Sequence, residues 1–302
     1  MVIDKILVPV DFSDASQSAL AYGIGVANEF EATLVITHVV EYSRPLAYAF
    51  PEETFELEKS KFEEVRTKLG ELIPEEVRES LNYRFIVKFG VPEDELLASV
   101  SDESVDLIVM GTHGRRGFER WVLGSATEHL LRRVPVPIVT VSRTDEGKAA
   151  RSLRRGTILY ATDLSEGSRA GLEAAYGWAR RFDANLVVLN VMLPLQLEYG
   201  TSYLPLDIGK DHEALHEELS EQMQESVPES MRLDDRVRLE TGEGVPYEVI
   251  LDRAQDLQAD LLVINLHGKS RMERTLIGAT AERVVRASRT PVLSIPVLDS
   301  GG

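Results

Sequence analysis

The chain has 302 residues, of which 43% are hydrophobic, and it carries a formal net charge of −17 at pH 7. This length and composition predict about two globular domains rather than a disordered chain. Because phosphates attract basic surfaces, the acidic balance argues against nonspecific binding to nucleic acid. The sequence contains no cysteine, which excludes disulfides, thiolate zinc sites and cysteine nucleophiles.

The sequence contains no apolar run long enough to predict a transmembrane helix. The N-terminus lacks the basic region, apolar region and cleavage site of a signal peptide, and we interpret it as a first strand. Together with the absence of cysteine, these features predict a cytoplasmic protein that does not insert into membranes.

Segments typical of strands and of helices alternate along the first half of the chain. Buried apolar runs and alternating patterns predict strands over residues 3–10, 34–40, 83–88, 105–110 and 136–141. Helices are predicted over residues 14–29, 52–80, 93–101 and 125–133, with Pro74 breaking the second of them. This alternation predicts an α/β fold, with a parallel sheet, right-handed crossovers and helices on both faces.

The second half of the chain repeats the first. Lys5–Ser13 matches Thr157–Ser165 at an offset of 152, and Asp106–Gly114 matches Asp260–Gly268 at an offset of 154. A repeat of this length indicates a duplicated domain rather than a solenoid unit. We therefore predict a first domain over residues 1–143, a polar linker over 144–155 and a second domain over 156–302.

A loop that contains glycine follows the predicted strand over residues 105–110. Glycines at 111, 114 and 124 allow a ligand to approach the backbone N–H groups, and the loop ends at the start of the predicted helix 125–133. Unpaired N–H groups and aligned peptide dipoles at a helix N-terminus favour an anion. The loop therefore predicts a phosphate site, although its spacing is not that of a Walker P-loop.

The spacing G-x2-G-x9-G-[ST] in this loop resembles the nucleotide signature of the universal stress protein family. Val8–Ser13, Asp106–Gly114 and Val134–Val139 fall in register with the same family. The resemblance implies two tandem doubly wound domains, each a five-stranded parallel sheet in the order 3-2-1-4-5, with the ligand between the first and fourth strands. It also implies a cytoplasmic stress-response or signalling protein, in which bound ATP or ADP, with Mg²⁺ in some members, biases conformation or partner choice.

The resemblance assigns nucleotide contacts to particular positions of the first copy. They are Val10, Asp11, Val39, Met110, Gly111, His113, Gly114, Arg115, Gly124, Ser125 and Ala126. Asp11 would contact the sugar and, in some members, help to place Mg²⁺, although an aspartate at a strand end is also a common cap or turn residue. Ser125 fits a phosphate contact, and it also fits a capping box with Glu128.

Three of the remaining assignments have ordinary structural alternatives. Arg115, with the neighbouring Arg116, would pair with phosphate oxygens or would be solvated surface. Val39 fits an adenine contact and a core position equally well. For His113, a role as a metal ligand is disfavoured because no second histidine or cysteine stands at ligand spacing.

The second copy departs from this pattern. Its candidate contacts are Asp163, Val191, Asn265, Gly268, Gly278 and Thr280. Asn265 replaces Gly111, and because asparagine tolerates positive φ we expect the turn to survive. Ala279 replaces Ser125, and Thr280 would take its place only if the register shifted. We predict that the second site binds nucleotide weakly or not at all.

The motifs contain no catalytic constellation, so we expect at most slow ATP hydrolysis. The main alternative is a structural or ligand-binding module that binds no nucleotide, and that uses the cleft for an apolar molecule or acts through oligomerisation. An adenylyl-transferring enzyme is a weaker alternative, because its usual motifs are absent. The helices at 52–80 and 211–226 diverge most between the copies, which makes them candidate contacts for an unidentified protein partner. The apolar final strands, 136–141 and 292–297, predict that the two domains pair as a pseudo-dimer within the chain, and they allow a homodimer of chains.

Overall fold

The computed structural model describes residues 1–41, 51–112, 123–142, 153–193, 208–267 and 277–296, without the side chains of residues 51–58 and 208–216. The chain divides into two compact units, Val2–Arg151 (unit one) and Ser152–Gly302 (unit two). Most of the predicted linker, 144–155, lies outside the described residues. Among the helices of the described part, none has the length and apolar character needed to cross a membrane.

Unit one alternates strands and helices. Its strands are β1 (Lys5–Pro9), β2 (Thr33–Val40), β3 (Tyr83–Phe89), β4 (Leu107–Gly111) and β5 (Ile138–Val141). Its described helices are α1 (Asp14–Phe30), α2 (Pro51–Glu71), α3 (Glu75–Arg78), α4 (Pro92–Glu103) and α5 (Ser125–Arg133). The strands pair in parallel in the order β3-β2-β1-β4-β5, which confirms the predicted order 3-2-1-4-5.

Unit two repeats this arrangement. Its strands are β6 (Thr157–Thr162), β7 (Asn185–Met192), β8 (Val237–Glu243), β9 (Leu261–Asn265) and β10 (Val292–Ile295). Its described helices are α6 (Ser168–Phe182), α7 (Ile208–Ser226), α8 (Glu229–Arg232), α9 (Pro246–Asp256) and α10 (Ala279–Ala287). The parallel order β10-β9-β6-β7-β8 is the same 3-2-1-4-5 order, since β6 takes the place of β1.

The first strand of unit one lies at the centre of its sheet. Ile6, Leu7 and Val8 have no solvent exposure. Three consecutive buried residues point to alternate faces of the sheet, so both faces must be covered. The cover includes α1, which packs against β1, β2 and β4, and α4, which packs against β1 and β2. The apolar run that predicted this strand is explained by burial on both faces.

The fourth strand begins later than predicted because Asp106 has a separate role. Its Oδ2 accepts hydrogen bonds from the backbone N–H groups of Asp4 and Lys5, each at 2.9 Å. In unit two, Oδ2 of Asp260 likewise accepts a hydrogen bond from the N–H of Thr157 at 3.0 Å. These aspartates satisfy backbone donors at the start of the first strand of each unit. They hold the first and fourth strands of each unit next to each other. In unit one, the carboxyl ends of these two strands border the cleft described next.

Candidate functional site

A cleft of about 1540 Å³ opens in unit one at the carboxyl ends of β1 and β4. The strand order reverses at this edge, which is where open α/β sheets bind ligands. The cleft lining includes the predicted contacts Val10, Asp11, Val39, Met110, Gly111, Gly124, Ser125 and Ala126. The other three, His113, Gly114 and Arg115, lie outside the described residues. The fold therefore brings residues from three separate parts of the sequence to one cleft.

The turn between β1 and α1 is organised by the Asp11 carboxylate. Its Oδ1 accepts hydrogen bonds from the backbone N–H and the hydroxyl of Ser13, at 3.0 and 2.6 Å. Ser13 in turn is the N-cap of α1 and accepts a hydrogen bond from the N–H of Ser16. Phe12 has a φ of 66°, a left-handed conformation that is uncommon for a bulky residue. Asp11 thus organises the turn next to the cleft, as predicted for a turn carboxylate, but it is not the helix cap, which is Ser13; Asp11 also lines the cleft.

A histidine that sequence reasoning missed lines the same cleft. His38 is buried, and its Nδ1 is 2.6 Å from the carbonyl oxygen of Val10. Because a carbonyl only accepts, Nδ1 must carry the proton that it donates. The His38 ring lies 4.8 Å from the Phe12 ring. In unit two, Nδ2 of Asn190 donates to the carbonyl of Thr162 at 2.9 Å in the corresponding place. The sequence signal that could have identified His38 is a polar residue inside the apolar run of the second strand.

Close packing, not a special backbone dihedral, requires glycine at position 111. Gly111 is not among the described residues with positive φ. A Cβ atom added there would lie 2.9 Å from the backbone carbon of Ala15 in α1. Thr127 Oγ1 donates to the Gly111 carbonyl at 2.9 Å and ties α5 to the end of β4. The absence of a side chain therefore lets strand and helix meet closely at the edge of the cleft.

The start of α5 differs from the predicted capping box. Gly124 is the N-cap residue, with φ −62° and ψ 145°, and no side chain caps the helix. Ser125 is the first helical residue, and Glu128 pairs with Arg132 at 2.9 Å instead of reaching back. The capping-box prediction for Ser125 is wrong, because the chain enters the helix through the glycine. The first N–H groups of a helix have no partner within it, and these residues line the cleft.

Glu93, in the first turn of α4, and Ser125 line the same cleft, and the Ser125 hydroxyl is near enough to donate to the Glu93 carboxylate. This hydrogen bond lowers the pKa of Glu93 below its ordinary value, with a smaller contribution from His129, while burial opposes the shift. Gly90, whose φ is 149°, forms the bend between β3 and α4 that brings Glu93 to the cleft. Glu93 is therefore ionised at neutral pH and lies beside the start of α5.

A charged group on α2 also lines the cleft. The Glu64 carboxylate lies 2.6 Å from Lys61 Nζ and 2.8 Å from Lys68 Nζ. Hydrogen bonds from Lys61 and then Lys68 lower the pKa of Glu64 from 4.5 to about 2. All three side chains are exposed, between 43% and 53%. Exposed pairs of this kind contribute little to stability. Little free energy would therefore be lost if the lysines released Glu64 and paired with another anion.

In unit two, the position that corresponds to Gly111 is Asn265, and its side chain makes contacts that a glycine cannot make. Asn265 Oδ1 lies 3.0 Å from the Tyr160 hydroxyl, and its Nδ2 donates to the Gly167 carbonyl at 3.0 Å. Gly171 makes room for them, since a Cβ there would overlap the Asn265 amide and lie 2.8 Å from the Tyr160 ring. Asn265 is not among the described residues with positive φ, so the predicted reason for this residue is wrong. Its side chain lies between β9 and α6, whereas in unit one Gly111 packs directly against the backbone of α1 at Ala15.

Other predicted contacts of unit two keep their backbone positions. Asp163 Oδ1 accepts a hydrogen bond from the Ser165 N–H at 3.1 Å, and Leu164 has a φ of 58°, which repeats the turn after β1. Val191 lies near the end of β7 and is half-buried. The turn geometry is thus common to both units and does not by itself distinguish a binding site.

The start of α10 settles the register of the second loop. Gly278 is the N-cap and Ala279 the first helical residue, the same places that Gly124 and Ser125 take in unit one. The register has not shifted, so Thr280 does not take the place of the missing serine. Gly268 lies outside the described residues.

Comparison with known families agrees with this architecture. The sequence model of the universal stress protein family matches residues 3–142 and 154–296. A universal stress protein of Methanocaldococcus jannaschii is 32% identical over 151 residues, which are 46% of this chain and 82% of that protein. A universal stress protein of Mycolicibacterium smegmatis is 25% identical over 295 residues, which are 96% of each chain.

Solved structures match the whole chain. The crystal structure of a universal stress protein from Archaeoglobus fulgidus has a TM-score of 0.64 at 20% identity and covers 99% of this chain and 98% of its own. A functionally unknown protein of Pseudomonas aeruginosa has a TM-score of 0.63 at 20% identity, with coverage of 98% and 93%. At this level of identity, these likenesses show the fold alone.

Proposed function

The chain is a tandem member of the universal stress protein family, and on that basis we propose that unit one binds an adenine nucleotide, ATP or ADP, in its cleft. The observation that carries the proposal is the meeting of Val10, Val39 and Met110 with the first turn of α5 around one cleft. Apolar walls suit an adenine ring, and the start of a helix suits phosphates. The cleft volume of about 1540 Å³ leaves room for both.

We propose further that nucleotide occupancy acts as a conformational or partner switch in a cytoplasmic stress response. The supporting feature is α2, which contributes Lys61, Glu64 and Lys68 to the cleft. These side chains are exposed, so a bound anion that drew the lysines from Glu64 would change the charge pattern on a surface helix. A ligand can shift an equilibrium only through such differential contacts. The homodimer of chains expected from the sequence stays a prediction, to be tested by light scattering.

Magnesium would be held mainly by the nucleotide. Among the described residues, no group of three or more histidine, aspartate or glutamate side chains could hold a metal ion. Mg²⁺ commonly takes one or two protein carboxylates together with phosphate oxygens and water. Asp11 lines the cleft and fits that role, although its Oδ1 is already engaged by Ser13.

We propose that the two units are unequal in binding. Asn265 fills the space beside the helix in unit two, and Ala279 supplies no hydroxyl at the start of α10. Loss of a single phosphate contact costs about 1–3 kcal/mol, or roughly 5- to 150-fold in affinity. One strong site per chain is therefore expected.

The first experiment identifies what the purified protein carries. The protein is prepared without added nucleotide and denatured, and the released material is examined by mass spectrometry and absorbance. ATP or ADP near one equivalent per chain supports the proposal. If nothing is released and calorimetry detects no binding of ATP with Mg²⁺, the proposal fails and the alternative, a module without nucleotide, is favoured.

Matched variants then locate the site. Ser125→Ala is expected to weaken ATP binding about 5- to 150-fold, whereas the reciprocal Ala279→Ser variant in unit two is expected to add no second site. Titration to two equivalent sites in the natural protein would contradict the proposed asymmetry. Equal affinity in Ser125→Ala and the natural protein would place the phosphates elsewhere.

A further inference from the structure

We propose that Glu93 is a specificity-determining residue of the unit-one cleft, an internal carboxylate that competes with phosphate groups for Ser125 and the start of α5. This role rests on the proposed nucleotide binding and adds a charge that the ligand must overcome. It acts on the anionic part of a ligand and leaves the adenine unaffected.

The contact itself is the first reason. Glu93 is in the first turn of α4, Ser125 is the first residue of α5, and these two helices pack against each other. A hydroxyl that donates to a carboxylate makes one of the stronger hydrogen bonds in proteins. Glu93 and Ser125 line the same cleft, so the carboxylate is placed to take the donor that a phosphate at this helix start would use.

The charges around the cleft are the second reason. In the described part of the lining the acidic residues are Asp11, Glu41, Glu64, Glu71 and Glu93, and the lysines are Lys61 and Lys68. Five carboxylates against two lysines make the described lining acidic, and both lysines already contact Glu64. A phosphate group that approached Ser125 would meet the negative charge of Glu93 at short range, where solvent screens it incompletely.

The fold does not require a carboxylate at this junction. Unit two has Tyr247 and Arg283 at the positions that correspond to Glu93 and His129, and the Arg283 guanidinium lies 4.9 Å from the centre of the Tyr247 ring. Packing between the two helices is thus achieved with an aromatic residue and a cation in one unit and with a carboxylate in the other. At this position the acidic residue occurs in unit one, whose cleft is described above, and not in unit two.

The test removes the charge and keeps the shape. Glu93→Gln retains the size of the side chain and an oxygen that accepts from Ser125. Asp94→Asn is the control, because Asp94 is exposed in the same helical turn and does not line the cleft. Calorimetric titrations at low salt with pyrophosphate, ATP and adenosine separate the charged part of the ligand from the base.

We expect Glu93→Gln to bind pyrophosphate and ATP about tenfold more tightly, which corresponds to about 1.4 kcal/mol. Adenosine affinity is expected to stay unchanged, and the gain for the anions is expected to shrink at high salt. An unchanged or weakened anion affinity in Glu93→Gln would overturn the role assigned to Glu93, as would an equal gain in Asp94→Asn or no pyrophosphate binding in any variant. Failure of the natural protein to bind both adenosine and ATP would instead count against the proposed function, because pyrophosphate still reports on Glu93.

Discussion

Replacing Gly171 by alanine should destabilise the protein, although the same substitution stabilises most helices. Replacing glycine by alanine inside a helix normally stabilises it by about 1 kcal/mol. Gly171 lies inside α6, yet a Cβ there would overlap the Asn265 amide and lie 2.8 Å from the Tyr160 ring. Overpacking of a core costs about 1–3 kcal/mol. Displacement of the half-buried amide adds about 1–3 kcal/mol for hydrogen bonds lost. We expect Gly171→Ala to destabilise unit two by about 3 kcal/mol after the helix gain is subtracted.

The same helix supplies the control. Gly177 also lies in α6, and a Cβ there would meet no atom within 4 Å. Gly177→Ala is therefore expected to stabilise unit two by about 0.5–1 kcal/mol, the opposite sign. Urea unfolding followed by Trp178 fluorescence measures both, in a Trp121→Phe background that leaves Trp178 as the single tryptophan of the chain. Trp178 is completely buried in α6, so its emission reports unit two.

A second substitution tests the cause of the effect. Asn265→Gly removes the amide that the new methyl group would meet, so Gly171→Ala should cost less in that background. Stabilisation by Gly171→Ala in the natural background would refute the reasoning. An equal cost with and without Asn265 would show that the amide does not fill this space.

Two further sites give predictions of different kinds. His38→Asn should keep most of the thermal stability, because an amide can also donate to the Val10 carbonyl, as Asn190 donates to Thr162 in unit two. His38→Leu should lose about 1–3 kcal/mol, because it leaves the Val10 carbonyl without this donor. The lysines lower the pKa of Glu64 from 4.5 to about 2, so the pairing is complete above 4.5 and is lost as the pH falls towards 2. NMR titration of the carboxyl group should show this low midpoint, and Lys61→Ala should raise it towards 4.5.

The strands and helices could be predicted because local patterns determine them. The run that includes Ile6 and Leu7 predicts a strand buried on both faces, and it forms one. Pro74 lies between α2 and α3, as a residue without a backbone N–H should. The strand order could not be derived from these patterns and came from the family resemblance. Since the order fixes where the sheet reverses, it also brought the predicted contacts to one cleft.

The contacts inside the cleft were harder to predict because they join residues distant in sequence. The pattern around Ser125 fits a capping box, but the Glu93 carboxylate on another helix engages its hydroxyl. The choice of glycine or asparagine at positions 111 and 265 is decided by the facing helix, with Ala15 in one unit and Gly171 in the other. Such complementarity of size is visible only when the two helices are placed against their strands.

In unit two a larger residue on the strand, Asn265, faces a glycine on the helix, Gly171, and this pairing restricts how the duplicated half can change. Asn265→Gly alone would leave a hole beside α6 and strand the Tyr160 hydroxyl and the Gly167 carbonyl, while Gly171→Ala alone would create a collision. Each reversion is harmful until the other has occurred. Within the duplicated half, a change at one of these two positions is therefore expected to be tolerated only together with a change at the other, because the packing of unit two couples them.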